Sequence, residues 1–273
     1  MLADRYQAFQ QLHRSGCFVI PNPWDVGTAR ALQKLGFKAL ATTSSGFAWS
    51  QGLPDNQVAL ESVLRHLEAI AGSVQLPVSA DFEACFAVEP DGVYDNVALA
   101  LKTGICGVSI EDSTQDANAP LFDLRAATDR VRAARQAIDD FGKPVVLTAR
   151  YEGLLLGVGD INQAKQRLIA YAAAGADCLY APAVRADADI DAIVRAVAPK
   201  AVNVLVSANF TSVERLAELG VRRISVGGSL ARCAWTSFLE AARAIADSGS
   251  FSGLDGLATN AMLNKLHGEE GQS

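Results

Sequence analysis

A repeating couplet constrains this chain more than any other feature: a helical segment that ends in glycine, followed at once by a short β-rich run. The runs are "CFVIP" (17–21), "ALATT" (39–43), "PVSADF" (77–82), "GVSIED" (107–112), "PVVLTAR" (144–150), "DCLYAP" (177–182), "VNVLVS" (202–207) and "RRISVG" (222–227). The segments "ARALQKLGF", "VALALKTGI", "RLIAYAAAGA" and "VERLAELGV" carry apolar residues at helical spacing. Glycine then stops each helix before the next run. Eight strands alternating with helices imply parallel pairing through right-handed crossovers, and in 273 residues they predict a closed (β/α)8 TIM barrel. A doubly wound open sheet is the alternative, and the lack of a G-x-G-x-x-G after the first run counts against it.

Composition shifts only near residue 247, so residues 1–273 read as one barrel domain with 249–267 as a C-terminal helical extension. The tail "SGSFSGLDGLATNAMLNKLHGEEGQS" joins a Gly/Ser elbow to an amphipathic helix over 254–267, with Leu257, Met262, Leu263 and Leu266 available for burial. This helix either folds back on its own barrel or is donated to a neighbouring subunit. The polar residues 268–273 are expected to be disordered.

Bulk properties exclude several classes. A net charge of −6 and the absence of a dense Lys/Arg run argue against a nucleic-acid surface. No apolar run approaches the ~18 residues of a membrane span, and the N-terminal "MLADRYQAFQQLHRSG" lacks a signal-peptide core. The cysteines at 17, 85, 106, 178 and 233 form no C-x-x-C pair, which fits reduced thiols in a cytoplasmic protein. Cys17, Cys106 and Cys178 stand in apolar runs and read as packing residues.

In a barrel, chemistry sits at the C-terminal strand ends. Those ends carry Asp81 and Glu83, then Glu111 and Asp112, then Arg150 and Glu152, while the loop "TSSGFAWSQGLPD" ends in Asp55. Strand alternation would point residues 81 and 83 to the same side. Two carboxylates in one space repel unless they share a proton or a cation; a solvated strand end is the alternative. Several acids around one mouth suit a hard cation, most naturally Mg²⁺. Arg150 offers a planar fork to a substrate carboxylate, or else forms a rim ion pair with Glu152. The "SSG" segment supplies N–H groups and hydroxyls for an oxyanion.

The stretches "IPNPWDVGTARALQKLGFKALATTSSGFAWSQGLPD" (20–55), "SADFE" (79–83), "GVSIED" (107–112), "TARYE" (148–152) and "GVRRISVGGSLAR" (220–232) resemble the isocitrate lyase/phosphoenolpyruvate mutase superfamily. The resemblance implies a Mg²⁺-dependent barrel, with Mn²⁺ as a substitute, that makes or breaks a C–C or P–C bond beside a 2-oxo acid or its enolate. It places the direct metal ligand on Asp81, water-mediated carboxylates on Asp55, Glu83 and Glu111, and the substrate-carboxylate arginine on Arg150. It places the substrate-oxyanion loop on Ser45, Gly46 and Phe47. It also implies a homodimer or homotetramer whose C-terminal helices are exchanged between subunits.

The departures matter as much. Isocitrate and methylisocitrate lyases carry lysine, cysteine and histidine in the loop after the strand-four acids, the cysteine serving as proton donor. Here that loop is "DSTQDANAPLFDL", which also lacks the lysine- and asparagine-rich pattern of the phosphonate-cleaving and mutase branches. "ACFA" replaces the usual glycines after the strand-three acids, and the glutamate expected after strand six is Ala183. Cys85 is a candidate to replace the lost cysteine, with plain packing as its alternative. His13, His66 and His267 fall in helical or tail segments, so none is an evident acid–base. The resulting expectation is a lyase or decarboxylase acting on a small 2-oxo or 2-hydroxy carboxylic acid. A phosphonopyruvate hydrolase or mutase, and a non-catalytic oxo-acid-binding protein, are the alternatives.

Overall fold

The computed structural model describes residues 2–268. Its eight strands are β1 (Phe18–Ile20), β2 (Leu40–Ala41), β3 (Val78–Ala80), β4 (Gly107–Glu111), β5 (Val146–Arg150), β6 (Cys178–Tyr180), β7 (Ala201–Leu205) and β8 (Arg223–Ser225). All pairings between these eight strands are parallel, in the order β1-β8-β7-β6-β5-β4-β3-β2. The seam between β1 and β2 carries a hydrogen bond from Ala41 N–H to Pro21 O (3.1 Å). Asn22 reinforces it: Nδ2 donates to Thr42 O (3.0 Å), and Oδ1 accepts from Val226 N–H and Gly227 N–H (3.0 and 2.8 Å). One side chain of the "NPW" turn thus ties three strand ends together.

The helices are α1 (Leu2–Leu12), α2 (Val26–Lys34), α3 (Ser44–Ser50), α4 (Leu60–Ser73), α5 (Pro90–Leu101) and α6 (Leu124–Phe141). They continue as α7 (Ile161–Ala173), α8 (Asp187–Val197), α9 (Val213–Glu218), α10 (Ser229–Ser248) and α11 (Asn260–His267). Gly36, Gly104, Gly175 and Gly220, the glycines of the couplets, all have positive φ. Gly107 answers a different need. A Cβ there would stand 2.6 Å from the Phe9 ring and 2.8 Å from Ser79 Oγ, so only glycine lets β4 pass this crowded point. Apolar residues of the strands and of the inner helix faces form one buried cluster, running from Tyr6 and Phe9 through Ile20, Leu67, Val108 and Leu147 to Ile224.

The C-terminal region differs in detail from expectation. Helix α11 begins at Asn260 rather than near 254, because Ser252–Leu254 form a 3-10 turn and Thr259 Oγ1 caps the helix through Met262 N–H (3.1 Å). It lies beside α2 of the same chain, where Lys34 Nζ donates to Lys265 O and Gly268 O (3.3 and 2.6 Å). On α10, Ala231 is the buried residue, while Trp235, Phe238, Leu239 and Ile245 are exposed. Residues 269–273, expected to be disordered, lie outside the described residues. No helix among the described residues is long and apolar enough to cross a membrane.

Candidate active site

The C-terminal ends of the strands enclose a cavity of about 260 Å³. Arg150, the last residue of β5, stands at its centre. Its Nη1 donates to Asp81 Oδ1 (2.8 Å) and lies 2.7 Å from Glu111 Oε1, while Nε donates to Glu152 Oε1 (2.9 Å). β4 and β5 pair Glu111 directly with Arg150, so strand register sets the Glu111 contact. The expected ion pair with Glu152 is present, and it belongs to a larger acid cluster. Burial works against the Arg150 charge, but Glu111, Glu152 and Asp81 outweigh it and hold its pKa well above the ordinary value.

Asp81 follows β3 directly. Ser44 N–H and Ser44 Oγ both donate to its Oδ2 (3.0 Å each), and Thr42 Oγ1 accepts from its backbone N–H (2.9 Å). Asp55 sits at the exposed rim, its pKa raised by desolvation and then by Asp81. Glu111 and Glu152 are raised mainly by burial, against the opposing pull of Arg150.

Glu83 corrects the strand argument. β3 ends at Ala80, and Glu83 takes a left-handed backbone (φ +49°), so alternation no longer governs its direction. Its side chain reaches a smaller cleft, lined also by Ser44, Phe47, His66 and Asp81, and does not line the main cavity. Burial, then Asp81 and Asp55, pushes its carboxyl up to about 8.

Asp112, expected at the mouth, turns the other way. It is buried behind the site, where Oδ2 accepts from Tyr171 OH (2.6 Å) and Arg167 Nη1 (2.9 Å), and Oδ1 accepts from Glu152 N–H (2.8 Å). Its function is to hold the Glu152 backbone.

The oxyanion expectation is corrected in register. "SSG" is the start of helix α3 rather than a loop. Ser45 lines the cavity, joined there by Ser44, but Gly46 and Phe47 do not. Gly46 is buried where a Cβ would meet Thr43, Trp24 and Ala231, and its N–H donates to the capping Thr43 Oγ1 (3.3 Å). Phe47 faces away and stacks on His66, with ring centroids 3.7 Å apart.

Cys85 does not replace the missing loop cysteine. Its side chain is fully buried, its Sγ lies 3.9 Å from Ser109 O, and burial pushes the thiol up to about 12. Cys85 and Phe86 both have positive φ (+59° and +54°), a costly conformation for non-glycine residues. Two side chains hold the loop against that cost. Arg130 Nη2 donates to Ala84 O (2.6 Å), and Nη1 to Ala87 O and Val88 O (2.5 and 2.6 Å). Asn96 Nδ2 donates to Cys85 O and Phe86 O (2.9 and 3.2 Å). Every carbonyl from 84 to 88 is therefore satisfied.

Sequence reasoning missed Arg130, Asn96, Tyr180 and Arg223. Tyr180 lines the cavity beneath Arg150, 5.1 Å from ring centroid to guanidinium carbon. Lone polar residues inside helices or strand runs carry no motif that marks them. Only the "ACFA" replacement hinted that something must support that loop.

These residues suit a cation by the chemistry of the donor set. Carboxylates outnumber the guanidinium groups around the cavity, and burial has raised Asp55, Glu111 and Glu152 towards protonation. A hard cation relieves that repulsion. Among the described residues no group of three or more His, Cys, Asp or Glu side chains is close enough to grip one ion directly. The fit is therefore to an ion held by few protein oxygens with the rest of its shell as water, as Mg²⁺ prefers.

Fold and site together define a class: a parallel α/β barrel whose catalytic face gathers carboxylates around one arginine. Residues 9–246 match the model of the phosphoenolpyruvate phosphomutase family. The chain belongs to that family, within the isocitrate lyase/phosphoenolpyruvate mutase superfamily. An uncharacterized protein of Mycobacterium tuberculosis is 33% identical over 242 residues, covering 88% of this chain and 89% of its own. A crystal structure of a "putative lyase/mutase" from Burkholderia cenocepacia J2315 superposes with a TM-score of 0.94 at 42% identity, covering 98% of this chain and 97% of that one. A protein named as a probable 2-methylisocitrate lyase from Corynebacterium glutamicum is 29% identical over 177 residues, 63% of this chain and 57% of its own. Members of the superfamily act on small oxo acids, and it includes lyases, hydrolases and mutases.

Proposed function

We propose that this chain is a Mg²⁺-dependent lyase or decarboxylase acting on a small 2-oxo or 2-hydroxy carboxylic acid through an enolate. The supporting observation is the lining of the 260 Å³ cavity: carboxylates, guanidinium groups and hydroxyls, with no His, Lys or Cys among the lining residues. An aldol-type cleavage needs an acid to protonate the departing carbanion. Loss of CO₂ from a β-keto acid breaks its bond without a protein base, so this lining suits decarboxylation better.

Asp81 would hold the cation, with Asp55 and Glu111 engaging its water shell from the main cavity and Glu83 reaching it only through the smaller cleft it shares with Asp81. Mg²⁺, when bound, would supply Lewis-acid stabilisation of charge on the oxygen beside the breaking bond. Arg150 takes the substrate carboxylate by giving up part of its hold on Asp81 and Glu111. Glu152, fixed by Asp112, keeps the guanidinium plane in place during that exchange. Ser44 and Ser45 offer hydroxyls to the substrate oxygen, and Leu155 and Leu156, both half-exposed, form an apolar part of the rim.

The family's name favours a second reading, a P–C bond enzyme. The loop "DSTQDANAPLFDL" has no lysine to hold a phosphonate, which speaks against it. A Mg²⁺-dependent activity panel over oxaloacetate, methylisocitrate, isocitrate, 2,3-dimethylmalate and phosphonopyruvate tests the proposal. Turnover of oxaloacetate is expected. Turnover of phosphonopyruvate alone would select the second reading, and oxalate binding without any turnover would select a binding protein.

The working form in this proposal is a homodimer or homotetramer. The apolar face of α10 is unmatched by its own barrel, and a second copy of the chain is the partner that would cover it.

A further inference from the structure

One arginine of the barrel interior stands outside the acid cluster around Arg150. Arg223 lies on β8 and is only 5% exposed. Its Nη1 donates to Thr148 Oγ1 (2.9 Å), and its Nε is buried without a partner. Among the described residues no carboxylate lies within ion-pair distance of it, whereas Arg150 has three such partners. The neighbouring ionisable groups cannot supply the missing charge. Cys178 and Tyr180 are both raised by burial and so stay neutral, and Asp81 is already engaged by Arg150 and Ser44. Burial without a counter-charge is the costly arrangement for a guanidinium.

Yet Arg223 is not sealed in the core. It lines the same cavity as Arg150 and Asp81, together with Ser225 and Tyr180. Its register partner Asn203 donates to Ser225 Oγ (2.9 Å) and leaves its own Oδ1 unpartnered. Thr148, which Arg223 reaches, precedes Arg150 by two residues on β5 and so faces the same way. The Arg223 guanidinium therefore sits at the level of Thr148, and both it and Arg150 line one cavity of about 260 Å³, small enough for a short diacid to meet both.

We propose that Arg223, with Ser225 and Tyr180, forms a second anion subsite at the cavity floor that takes the distal carboxylate of a short 2-oxo diacid. The inference rests on the proposed 2-oxo acid chemistry and adds a determinant of specificity: the cavity selects diacids over monoacids through a guanidinium that has no carboxylate partner among the described residues. Arg223 touches substrate in this reading and is distinct from the arginine at the mouth.

Calorimetry in saturating Mg²⁺ tests it with two probes. One is 3,3-difluorooxaloacetate, a diacid that resists decarboxylation; the other is 2-oxobutyrate, which has the same four carbons and no second carboxylate. The parent should bind the diacid more tightly. Arg223→Met should lose about tenfold or more of the diacid affinity, the scale of a charge-assisted hydrogen bond, and leave 2-oxobutyrate nearly unchanged. Arg223→Lys should recover part of the loss. The thermal midpoint of ligand-free Arg223→Met should rise, since a buried unpaired charge has been removed; an arginine kept only for structure would lower it. Equal losses for both probes, no loss for either, or a lower midpoint overturns the subsite while leaving the 2-oxo acid reading intact. A parent that binds neither probe overturns both.

Discussion

Arg150 donates to Asp81 at 2.8 Å, so the side chain proposed to clamp substrate and the one proposed to hold the cation are hydrogen-bonded to each other. Neither can do its work without loosening the other. Cation and substrate are therefore expected to bind with positive coupling, each releasing a partner for the other. Oxalate titrations with and without Mg²⁺ measure that coupling. Asp81→Ala should abolish it, and a variant that binds metal and oxalate like the parent would remove Asp81 from the site.

Arg150→Lys is not expected to be conservative. A lysine retains the charge but not the fork that spans Glu152 on one side and Asp81 and Glu111 on the other. Affinity for oxalate should fall by about 1.5–3 kcal/mol, read by calorimetry. Unchanged affinity would place the carboxylate elsewhere.

The left-handed loop at 83–86 should depend on Arg130. Arg130→Met leaves the carbonyls of Ala84, Ala87 and Val88 without donors, and a loss of about 3 kcal/mol or more is expected in urea unfolding. Asn96→Ala should show a smaller loss of the same kind, since it holds two neutral contacts. A loss under about 0.5 kcal/mol for Arg130→Met, the size of an ordinary surface change, would show that the loop holds itself.

His13 should make the fold acid-sensitive. Burial, and then Arg223, lowers its pKa to about 3. The unfolded chain therefore takes up the proton first, near the ordinary value of ~6.5. Stability is complete above that pH and falls as pH drops towards the folded value, by about 1.4 kcal/mol per unit. In His13→Gln the decline between about pH 6 and pH 4 should be shallower in urea unfolding. An identical slope would assign the acid sensitivity to other groups.

Truncation after Ser248 addresses assembly. It removes α11 and the Ser252–Leu254 turn, whose Gly253 packs closely on Ala241 of α10. If α11 is exchanged between subunits, sedimentation should show a smaller assembly and unfolding a weaker barrel. If α11 stays beside its own α2, assembly size should not change. A full-length chain that sediments as a monomer at micromolar concentration would overturn the oligomer proposal itself.

The eight-strand order was legible in the chain because it depends on local facts that repeat. Helical spacing and a short β-rich run recur at each step, with a positive-φ stop glycine before most of the strands, and parallel pairing follows from the crossovers. The convergence of Asp55, Asp81, Glu111 and Arg150 was legible for the same reason, since strand ends in a barrel share one mouth. Where strand register persists, as from Glu111 to Arg150, the inference from sequence reached individual contacts.

It stopped where the backbone leaves its regular path. Residue 83 was placed by alternation, but β3 ends at Ala80 and a left-handed turn sends Glu83 to another cleft. Asp112, by contrast, obeys alternation: it directly follows Glu111 and faces the opposite side, where Arg167 and Tyr171 meet it. Gly46 is required by close packing rather than by a ligand. Periodicity encodes which element forms and which face it buries; it does not encode what a distant side chain finds across the barrel. Arg130 under its loop and Arg223 beneath Arg150 are decided only there. A long cation's partners depend on how closed helices and strands bring far segments together, and no local pattern in the chain records that distance.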